Sequence, residues 1–568
     1  MDKHASVAQS TGEAMLRQLA ARGVDFFFAN SGTDFPSLVE AFARARDEGF
    51  PVPRPVLVTH ENVGVCMAYG ATLATGRAQA VMVHVNVGSA NALCGVINAA
   101  RENVPMLMMA GRTPWTETGA AGTRSMNIHW AQEMFDQGGM LREQVKWDYE
   151  LRDAGQLASL LDRALAISAS EPAGPVYLSL PREVLAQTPS PQPAGPAASI
   201  APLAPAMPDP GAVRELAAML AGAKRPLVIT ARAGRDPAAV PLLARLAERY
   251  ALPVVEYRAR YLCLPADHPM HGGYEVDAWL EEADAVLVLD CDVPWIPSVR
   301  APRDGVPIVQ AGIDPLFSRY PVRGFGSSLN IACAPANLVA ALERELDALG
   351  VAPAAIAERR AHVQARGDQR RAQVEAAVER GAKASPMGMA WVTRCLARAL
   401  PADAAVVNEY SLQRGAMGST VPGSFFRSSP VGGLGWGVPA ALGIALAQPG
   451  RTVVAAVGDG AYGFANPLAC HHTAAMHGIA FLTLVMNNET YGAVERATHD
   501  MYPAGAAARG GMTLSSLAPV PAFEQVVAAC GGWGERVDDA AALPGALERA
   551  LRVVREEKRQ ALLNVRCA

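Results

Sequence analysis

Residues 452–492 decide the fold, and they read TVVAAVGDGAYGFANPLACHHTAAMHGIAFLTLVMNNETYG. Two apolar runs, Thr452–Val457 and Phe481–Met486, lie near the two ends of this stretch, and neither alternates polar with apolar residues. Such runs are typical of central strands in a parallel sheet that helices cover on both faces. The stretch therefore predicts two buried parallel strands of an α/β fold.

Similar apolar runs recur along the chain and alternate with longer Ala-, Leu- and Arg-rich stretches that are typical of helices. The other clear runs are Ala80–Val85, Met106–Ala110, Val176–Leu180, Leu227–Thr230, Ala285–Asp290, Val306–Ala311 and Leu562–Val565. A proline-rich linker at 189–207 and a surface helix at 351–384 are predicted to separate the blocks. We therefore predict three domains, 1–188, 208–350 and 385–568, each a parallel sheet flanked by helices.

Charge, hydrophobic runs and cysteine spacing indicate which partners the protein is expected to have. The formal net charge is −4 and no basic run occurs, so we expect no nucleic-acid partner. No run approaches the ~18 apolar residues that cross a bilayer, so we expect no membrane partner. The nine cysteines include no Cys-x-x-Cys pair, which argues against a zinc site. The N-terminus, Met1–His4, leads into no apolar signal core, and a cytoplasmic protein with a small-molecule substrate is expected.

A candidate metal site follows the two strands of the opening stretch. Asp459 lies between Gly458 and Gly460 after the first strand, and Asn488 and Thr490 follow the second. Glycines let the backbone turn tightly beside an anion, and a hard divalent cation prefers oxygen ligands in an octahedral array. The Asp459 carboxylate, the Asn488 amide oxygen and the Thr490 carbonyl would supply three ligands. Gly-Asp-Gly alone also occurs in ordinary turns, but the pair of motifs predicts a cation that bridges a diphosphate.

This pair of motifs matches the signature of thiamine-diphosphate enzymes. The whole chain resembles the family of acetolactate synthases, pyruvate oxidases and benzoylformate decarboxylases, and its motifs are closest to benzoylformate decarboxylase. Further segments that carry the resemblance are residues 59–70, 99–105, 174–181 and 432–441, which read THENVGVCMAYG, AARENVP, GPVYLSLP and GGLGWGVPAA. The resemblance implies thiamine diphosphate and Mg²⁺ as cofactors, with a pyrimidine-binding N-terminal domain, a middle domain and a diphosphate-binding C-terminal domain. It also implies that two chains build each site, so a homodimer is the minimum and a homotetramer the expected unit.

The resemblance implies roles for individual residues. Glu61 would bind the pyrimidine ring and, with its proton affinity raised by burial, activate the cofactor. Leu434 would support the bend of the cofactor, and Gly432 would offer it a carbonyl. The other cofactor contacts would come from Gly458, Gly460, Ala461, Tyr491 and Gly492. Without the resemblance, Glu61 is an acid at a helix start and Leu434 an ordinary core residue.

His84 bears on the type of reaction. Residues 82–91, MVHVNVGSAN, resemble the benzoylformate decarboxylase segment, whereas acetolactate synthases carry Ser-Gly-Pro-Gly nearby. An imidazole at a strand end is able to donate or remove a proton beside the reacting carbonyl, although a satisfied structural histidine is the alternative. Further candidates for the substrate pocket are Thr33, His129 and Gln132.

Two stretches differ from known branches of this family. The middle domain offers Trp295 and Ile296 where the decarboxylase branch has a second active-site histidine. Residues 230–235, TARAGR, show no strong dinucleotide pattern, so we expect no FAD. The pair His471-His472 is interpreted as structural.

The sequence thus predicts a thiamine-diphosphate- and Mg²⁺-dependent lyase that decarboxylates a 2-oxo acid, and it leaves open whether the acyl unit is also ligated to an aldehyde. An acetolactate-synthase-like carboligase or a related C–C hydrolase is the alternative among enzymes. The alternative that is not an enzyme is an inactive paralogue that serves as a regulatory subunit. The retention of Glu61, Asp459 and Asn488 argues against this alternative.

Overall fold

Three six-stranded parallel sheets follow one another along the chain in a computed structural model that describes residues 9–189 and 199–568. The predicted fold class is therefore confirmed. The N-terminal segment Met1–His4 and residues 190–198 of the predicted linker lie outside the described residues. Among those described, no helix is both long and apolar enough to cross a membrane.

The first sheet has the strand order β2-β1-β3-β4-β6-β5. Its central strands are buried along almost their whole length, which explains why their sequences are apolar on both faces. The strands are β1 Phe26–Ala29, β2 Arg54–Leu57, β3 Gln79–Val83, β4 Met106–Arg112, β5 Asp148–Glu150 and β6 Pro175–Pro181. The helices are α1 Thr11–Ala21, α2 Pro36–Glu48, α3 Glu61–Thr75, α4 Val85–Arg101, α5 Ile128–Ala131, α6 Leu157–Ala169 and α7 Arg182–Ala186.

The second sheet forms the middle domain and has the order β12-β11-β10-β7-β8-β9. The strands are β7 Pro226–Thr230, β8 Val254–Glu256, β9 His271–Gly273, β10 Ala285–Leu289, β11 Ile308–Gly312 and β12 Leu329–Ala332. The helices are α8 Pro210–Gly222, α9 Ala239–Tyr250, α10 Asp277–Leu280, α11 Pro335–Leu349 and α12 Pro353–Lys383. Helix α12 lies on the segment predicted as a surface helix, and few of its 31 residues are buried.

The third sheet has the order β14-β13-β15-β16-β18-β17 and contains the two strands of the opening stretch, β15 and β16. The strands are β13 Ala405–Glu409, β14 Phe425–Arg427, β15 Val453–Gly458, β16 Leu482–Asn487, β17 Trp533–Val537 and β18 Ala561–Arg566. The helices are α13 Met389–Ala399, α14 Arg414–Met417, α15 Gly437–Ala447, α16 Asp459–Phe464, α17 Pro467–His477, α18 Gly492–Met501, α19 Ala506–Gly510, α20 Phe523–Ala529 and α21 Leu543–Arg555.

One hydrophobic core joins the first and third sheets, because helices α3 and α15 pack against each other. A Cβ placed on Gly70 would lie 1.9 Å from the carbonyl oxygen of Ala440, and one on Gly443 would lie 1.9 Å from that of Met67. Glycine at these two positions therefore permits backbone contact between the helices. The middle domain has a separate core of its own.

Candidate active site

The carboxyl ends of β15 and β16 bring the predicted metal ligands together. The two strands pair in parallel, with Gly458 opposite Met486. Asp459 starts helix α16, and its Oδ2 accepts a hydrogen bond from the backbone N–H of Glu489 at 2.7 Å. This bond ties the end of β15 to the loop 488–492, which holds Asn488 and Thr490.

The loop after β16 has a defined shape. Glu489 adopts a left-handed conformation with φ of +58°, and the Thr490 hydroxyl donates to Glu495 Oε1 at 2.6 Å. The Tyr491 ring covers Gly460, where a Cβ would lie 2.8 Å from ring atom Cε1. Of the other predicted cofactor contacts, Ala461 is buried beside them and Gly492 begins helix α18.

The residues at this edge fit a hard cation bound to a diphosphate. Asp459 is 4 % exposed, and burial raises the pKa of its carboxyl group. No Lys or Arg pairs with this carboxylate in the described part of the chain, so a cation would compensate its charge. Beyond Gly458 the space is open, since a Cβ there would meet no atom within 4 Å. The described residues contain no cluster of three His, Cys, Asp or Glu side chains for a metal, which agrees with a single carboxylate among neutral oxygen donors.

The Gly-rich segment that contains Leu434 is anchored by a buried acid that the sequence did not reveal. Glu409 ends strand β13 and is 0 % exposed. Its carboxylate accepts backbone N–H bonds from Gly435 at 2.9 Å, Trp436 at 3.4 Å and Gly437 at 2.8 Å. Burial raises the pKa of Glu409 to about 7, against the opposing effect of these three donors. The acid thus fixes the position of the loop from which helix α15 starts.

The residues before this anchor face open space. Gly432 is exposed with φ of +73°, and a Cβ there would meet no atom within 4 Å. Leu434 is half-buried at the margin of the core, and the next residue, Gly435, lies so close to the Phe464 carbonyl that a Cβ would be 2.3 Å from its oxygen. Asn98 of helix α4 donates to the Gly433 carbonyl at 2.8 Å. Leu434 therefore protrudes from a segment that is held on both sides.

His84 lies at the carboxyl end of β3 and is held from both ring nitrogens. Its Nδ1 lies 2.6 Å from Asp34 Oδ1, and its Nε2 lies 3.2 Å from Gln132 Nε2. Asp34 is 3 % exposed, and its second oxygen accepts the backbone N–H of Val85 at 3.3 Å. The hydrogen bond to Asp34 and the charge of Asp34 raise the pKa of His84, although burial opposes the shift. Asp34 was not predicted as a site residue.

The other predicted residues of the first sheet surround this histidine. Gly32 lies against the imidazole, where a Cβ would be 2.3 Å from Nδ1, and Thr33 follows it in the same half-buried loop. Glu61 starts helix α3, accepts a hydrogen bond from Asn91 Nδ2 at 3.1 Å and adds to the raised pKa of His84. His129 is 2 % exposed, and burial lowers its pKa. The structure thus groups Thr33, Glu61, His84, His129 and Gln132 near one another.

The predicted pyrimidine-binding residue and the predicted metal ligands do not contact each other within one chain. Glu61 is half-buried, and among the described residues it makes no hydrogen bond or ion pair with Asp459, Asn488 or Thr490. The burial expected for Glu61 is therefore incomplete in the single chain. Trp295 packs edge-on against Phe325 inside the middle-domain core.

The geometry of His471 agrees with a structural role. This residue is fully buried, with its ring nitrogens 2.9 Å from the Tyr462 hydroxyl and 2.8 Å from Gln560 Oε1. Burial lowers its pKa to about 4, so the ring is neutral near pH 7. The neighbouring His472 is exposed.

Curated relatives of this chain include enzymes of two kinds. A benzoylformate decarboxylase of Pseudomonas aeruginosa is 27 % identical over 493 residues, which cover 84 % of this chain and 85 % of the relative. A probable acetolactate synthase of Mycobacterium bovis is 26 % identical over 553 residues, covering 95 % and 93 %.

Solved structures share the fold over nearly the whole length. A thiamine diphosphate-dependent 4-hydroxybenzoylformate decarboxylase of Rhodococcus jostii RHA1 aligns with a TM-score of 0.78 and 22 % identity, covering 98 % of this chain and 99 % of that one. A putative thiamin diphosphate-dependent enzyme of Mycobacterium smegmatis aligns with a TM-score of 0.77 and 24 % identity, covering 99 % and 100 %.

Family models match the chain in three consecutive places. The model described as thiamine pyrophosphate enzyme, N-terminal TPP binding domain, matches residues 9–140, and the model of the central domain matches residues 213–322. The C-terminal TPP binding domain matches residues 410–565. Thiamine pyrophosphate is another name for thiamine diphosphate. Since the three models match in order and together include more than two thirds of the chain, the protein belongs to the thiamine pyrophosphate enzyme family.

Proposed function

We propose that this thiamine-diphosphate enzyme is a Mg²⁺-dependent lyase that decarboxylates a 2-oxo acid. The observation that carries the proposal is the imidazole of His84, held between Asp34 and Gln132 at the carboxyl end of a buried strand. A titratable group in such a setting suits proton transfer beside a reacting carbonyl. The two benzoylformate decarboxylases among the relatives and similar folds support this choice.

Cofactor binding is assigned to the edge of the third sheet. Asp459, Asn488 and Thr490 would hold Mg²⁺ through oxygen atoms, and Gly458, Gly460, Ala461, Tyr491 and Gly492 would line the diphosphate. Leu434 and Gly432 would contact the bend between the two rings. The bound cofactor supplies the carbon nucleophile and the electron sink for the bond that breaks.

The Asp34 carboxylate fixes the protonation pattern of His84. A carboxylate only accepts hydrogen bonds, so the proton between the two side chains resides on His84 Nδ1. In the neutral ring Nε2 is then free of a proton and accepts from the Gln132 amide, whose Nε2 lies 3.2 Å away. His84 therefore takes up and returns a proton at Nε2, while Gln132 orients that atom toward the substrate.

Glu61 is proposed to bind the pyrimidine ring of a cofactor whose diphosphate is held by a second copy of the chain. In the single chain this carboxylate is half-buried, and its one hydrogen-bond donor among residues 9–189 and 199–568 is Asn91. Docking of another chain over Glu61 would complete its burial and raise its proton affinity, as activation requires. The proposed unit is therefore a homodimer or a larger assembly.

The test is a panel of aromatic, aliphatic and basic 2-oxo acids, supplied with thiamine diphosphate and Mg²⁺. Release of carbon dioxide and of aldehyde is followed together with ligation to added aldehydes. We expect at least one acid to be decarboxylated and His84→Ala to reduce kcat about a hundredfold or more. The matched control is His472→Ala, on an exposed histidine, which leaves kcat unchanged. A chain that binds the cofactor and ligates acyl units, but releases no carbon dioxide from any acid, would contradict the proposal.

A further inference from the structure

Glu409, the buried acid beside the proposed cofactor site, has no cation to compensate its charge. It is 0 % exposed, and in residues 9–189 and 199–568 it forms no ion pair. Burial of an unpaired carboxylate costs free energy, and here it raises the pKa of Glu409 to about 7. Proteins depart from the rule against such groups mainly at functional sites. Glu409 is therefore expected to serve the site more than the stability of the core.

The two oxygens of Glu409 divide three backbone amides between them. Oε1 accepts the N–H groups of Gly435 at 2.9 Å and Trp436 at 3.4 Å, and Oε2 accepts that of Gly437 at 2.8 Å. Only an ionised carboxylate has both oxygens free to accept, because a carboxylic acid or a glutamine amide carries hydrogen on one of the two atoms. The arrangement thus requires the charge of Glu409 and not only its shape.

Glycine at two positions permits this contact. A Cβ on Gly437 would lie 3.0 Å from Oε2 of Glu409. Gly435 has φ of +88°, a conformation that residues with a side chain rarely adopt. The segment before helix α15 is therefore folded closely around the carboxylate.

Leu434 directly precedes the first amide that Glu409 holds. One planar peptide unit joins Leu434 to Gly435, so a displacement of Gly435 also displaces Leu434. On the other side of Leu434, the Gly433 carbonyl accepts a hydrogen bond from Asn98 at 2.8 Å. Glu409 and Asn98 thus fix the two ends of the short segment from which Leu434 protrudes.

We propose that Glu409 is a positioning residue for thiamine diphosphate: its ionised carboxylate, through the amides of residues 435–437, holds Leu434 where it supports the bend of the cofactor. The proposal rests on the role proposed above for Leu434. Because Glu409 is 0 % exposed, it acts through the segment and not by contact with the cofactor.

Calorimetric titration of the cofactor-free, full-length protein with thiamine diphosphate, at a fixed excess of Mg²⁺ and at pH 8, tests the proposal. Glu409→Gln keeps the shape of the side chain and removes a buried charge, so the fold is expected to be retained. One acceptor atom becomes an NH₂ group, and at least one buried amide loses its partner. We expect the dissociation constant to rise about tenfold or more. An unchanged constant overturns the proposal.

A matched control is available in the middle domain. Asp284 is half-buried, and its two oxygens accept the backbone N–H groups of Lys224 and Arg225, both at 2.8 Å. Asp284→Asn removes the same kind of contact at a place that lies outside the proposed cofactor site. We expect it to leave the dissociation constant for thiamine diphosphate unchanged. A loss of affinity equal to that of Glu409→Gln would indicate general destabilisation and would overturn the proposal.

The pH dependence separates positioning from a general loss of packing. Wild-type Glu409 is largely ionised at pH 8 and largely protonated at pH 6, where it resembles glutamine in its acceptors. We expect the ratio of dissociation constants, Glu409→Gln over wild type, to fall from about tenfold at pH 8 to below about threefold at pH 6. A ratio that is equal at both pH values overturns the proposal.

Other groups near Glu409 do not account for such a change. The titratable side chains that face it in the described part of the chain are Cys66, Cys94, Cys470 and Tyr410. Desolvation and the charge of Glu409 raise the pKa of each, so all of them stay neutral between pH 6 and pH 8. Titration of the cofactor itself affects both proteins equally and cancels in the ratio.

Leu434→Ala separates a failure of this proposal from a failure of the proposed site. It is expected to weaken cofactor binding about tenfold or more, because it removes the side chain that Glu409 positions. In the double variant with Glu409→Gln the two effects are expected not to add. Wild-type affinity in Leu434→Ala would contradict the role of Leu434 and overturn this proposal as well. Weakened binding in Leu434→Ala with full additivity in the double variant would overturn positioning by Glu409 alone.

Discussion

At the scale of the residue, the candidate site depends on two acids, Asp34 and Glu409, that no sequence motif predicted. Asp34 lies in the loop after β1, 50 positions before the histidine that it contacts, and Glu409 lies 26 positions before Gly435. His84 was predicted because the surrounding sequence resembles a known segment, and Gln132 was a further candidate for the substrate pocket. The acids were missed because only the fold brings them to partners that are distant in sequence. Asp34 meets His84 where the adjacent strands β1 and β3 end, and Glu409 meets the start of helix α15.

Replacement of Asp34 by Asn is expected to lower both kcat and the pKa of His84. The amide keeps the shape of the side chain but carries no charge, and it permits the wrong imidazole tautomer. We expect kcat to fall roughly ten- to a hundredfold, with the midpoint of the His84 NMR titration moving to lower pH. Asp47→Asn, at an exposed acid, is the control. An unchanged midpoint would show that Asp34 does not set the protonation of His84.

The same pair links stability to pH. Folding raises the pKa of His84 above its ordinary value of 6.5. The stabilisation from its interaction with Asp34 is therefore complete below the unfolded-state pKa and is lost as pH rises through the folded-state pKa. Loss of the carboxylate in Asp34→Asn removes this dependence.

Glu409 is expected to destabilise the protein as pH rises from about 5 to 7. Its pKa is raised from 4.5 to about 7, so between these values the unfolded chain loses a proton that the folded chain retains. The free energy of unfolding then falls by about 2 kcal/mol over this interval. Denaturant unfolding of the wild type and of Glu409→Gln at both pH values measures the effect. If the two proteins lose stability in parallel, another group is responsible.

At the scale of the element, long central strands such as β4 and β6 were predictable, and the three-residue strands β5 and β14 were not. The runs at Met106–Ala110 and Val176–Leu180 match β4 and β6, because complete burial requires a continuous apolar run. Strands β5 and β14 have three residues each, too few to show a period. The run Ala80–Val85 was read two residues too long, since β3 ends at Val83 and Asp34 binds the Val85 amide at the start of α4.

The helix pair α3–α15 gives a prediction at this scale. In Gly70→Ala the new methyl group would lie 1.9 Å from the Ala440 carbonyl oxygen, so the two helices must move apart. We expect a loss of about 1–3 kcal/mol or more in stability, measured by thermal unfolding. Gly222→Ala, at the end of α8 with no atom within 4 Å of the new Cβ, is the control and is expected to be neutral or slightly stabilising. Equal effects of both substitutions would contradict tight packing at Gly70.

At the scale of the whole molecule, the order of three α/β domains was readable because the pattern of apolar runs and breaks repeats along the chain. The fold class is confirmed by three parallel sheets, and the family by matches to all three domains. The division of the site between two chains was inferred from resemblance alone. A sequence does not show which of two identical copies provides a side chain.

Mixing two inactive variants tests that division. Glu61→Gln and Asp459→Asn are each expected to reduce activity at least a hundredfold. If each site combines Glu61 of one chain with Asp459 of another, denaturing and refolding an equal mixture restores about a quarter of wild-type activity, because half of the dimers are hybrids with one intact site of two. Separately refolded variants are the control. No recovery on mixing would place both residues of a site in one chain.

The contact of Gly70 and Gly443 with opposing carbonyl groups has a mechanical consequence. Backbones that touch through glycine leave no side chains that could slide or rotate, so the first and third sheets behave as one rigid body around their common core. The middle domain has its own core, but buried ion pairs tie it to the other two domains, Arg260 with Glu102 and Arg414 with Glu256. An opening that admits a substrate must then come from surface loops, and not from separation of the two outer sheets within a chain.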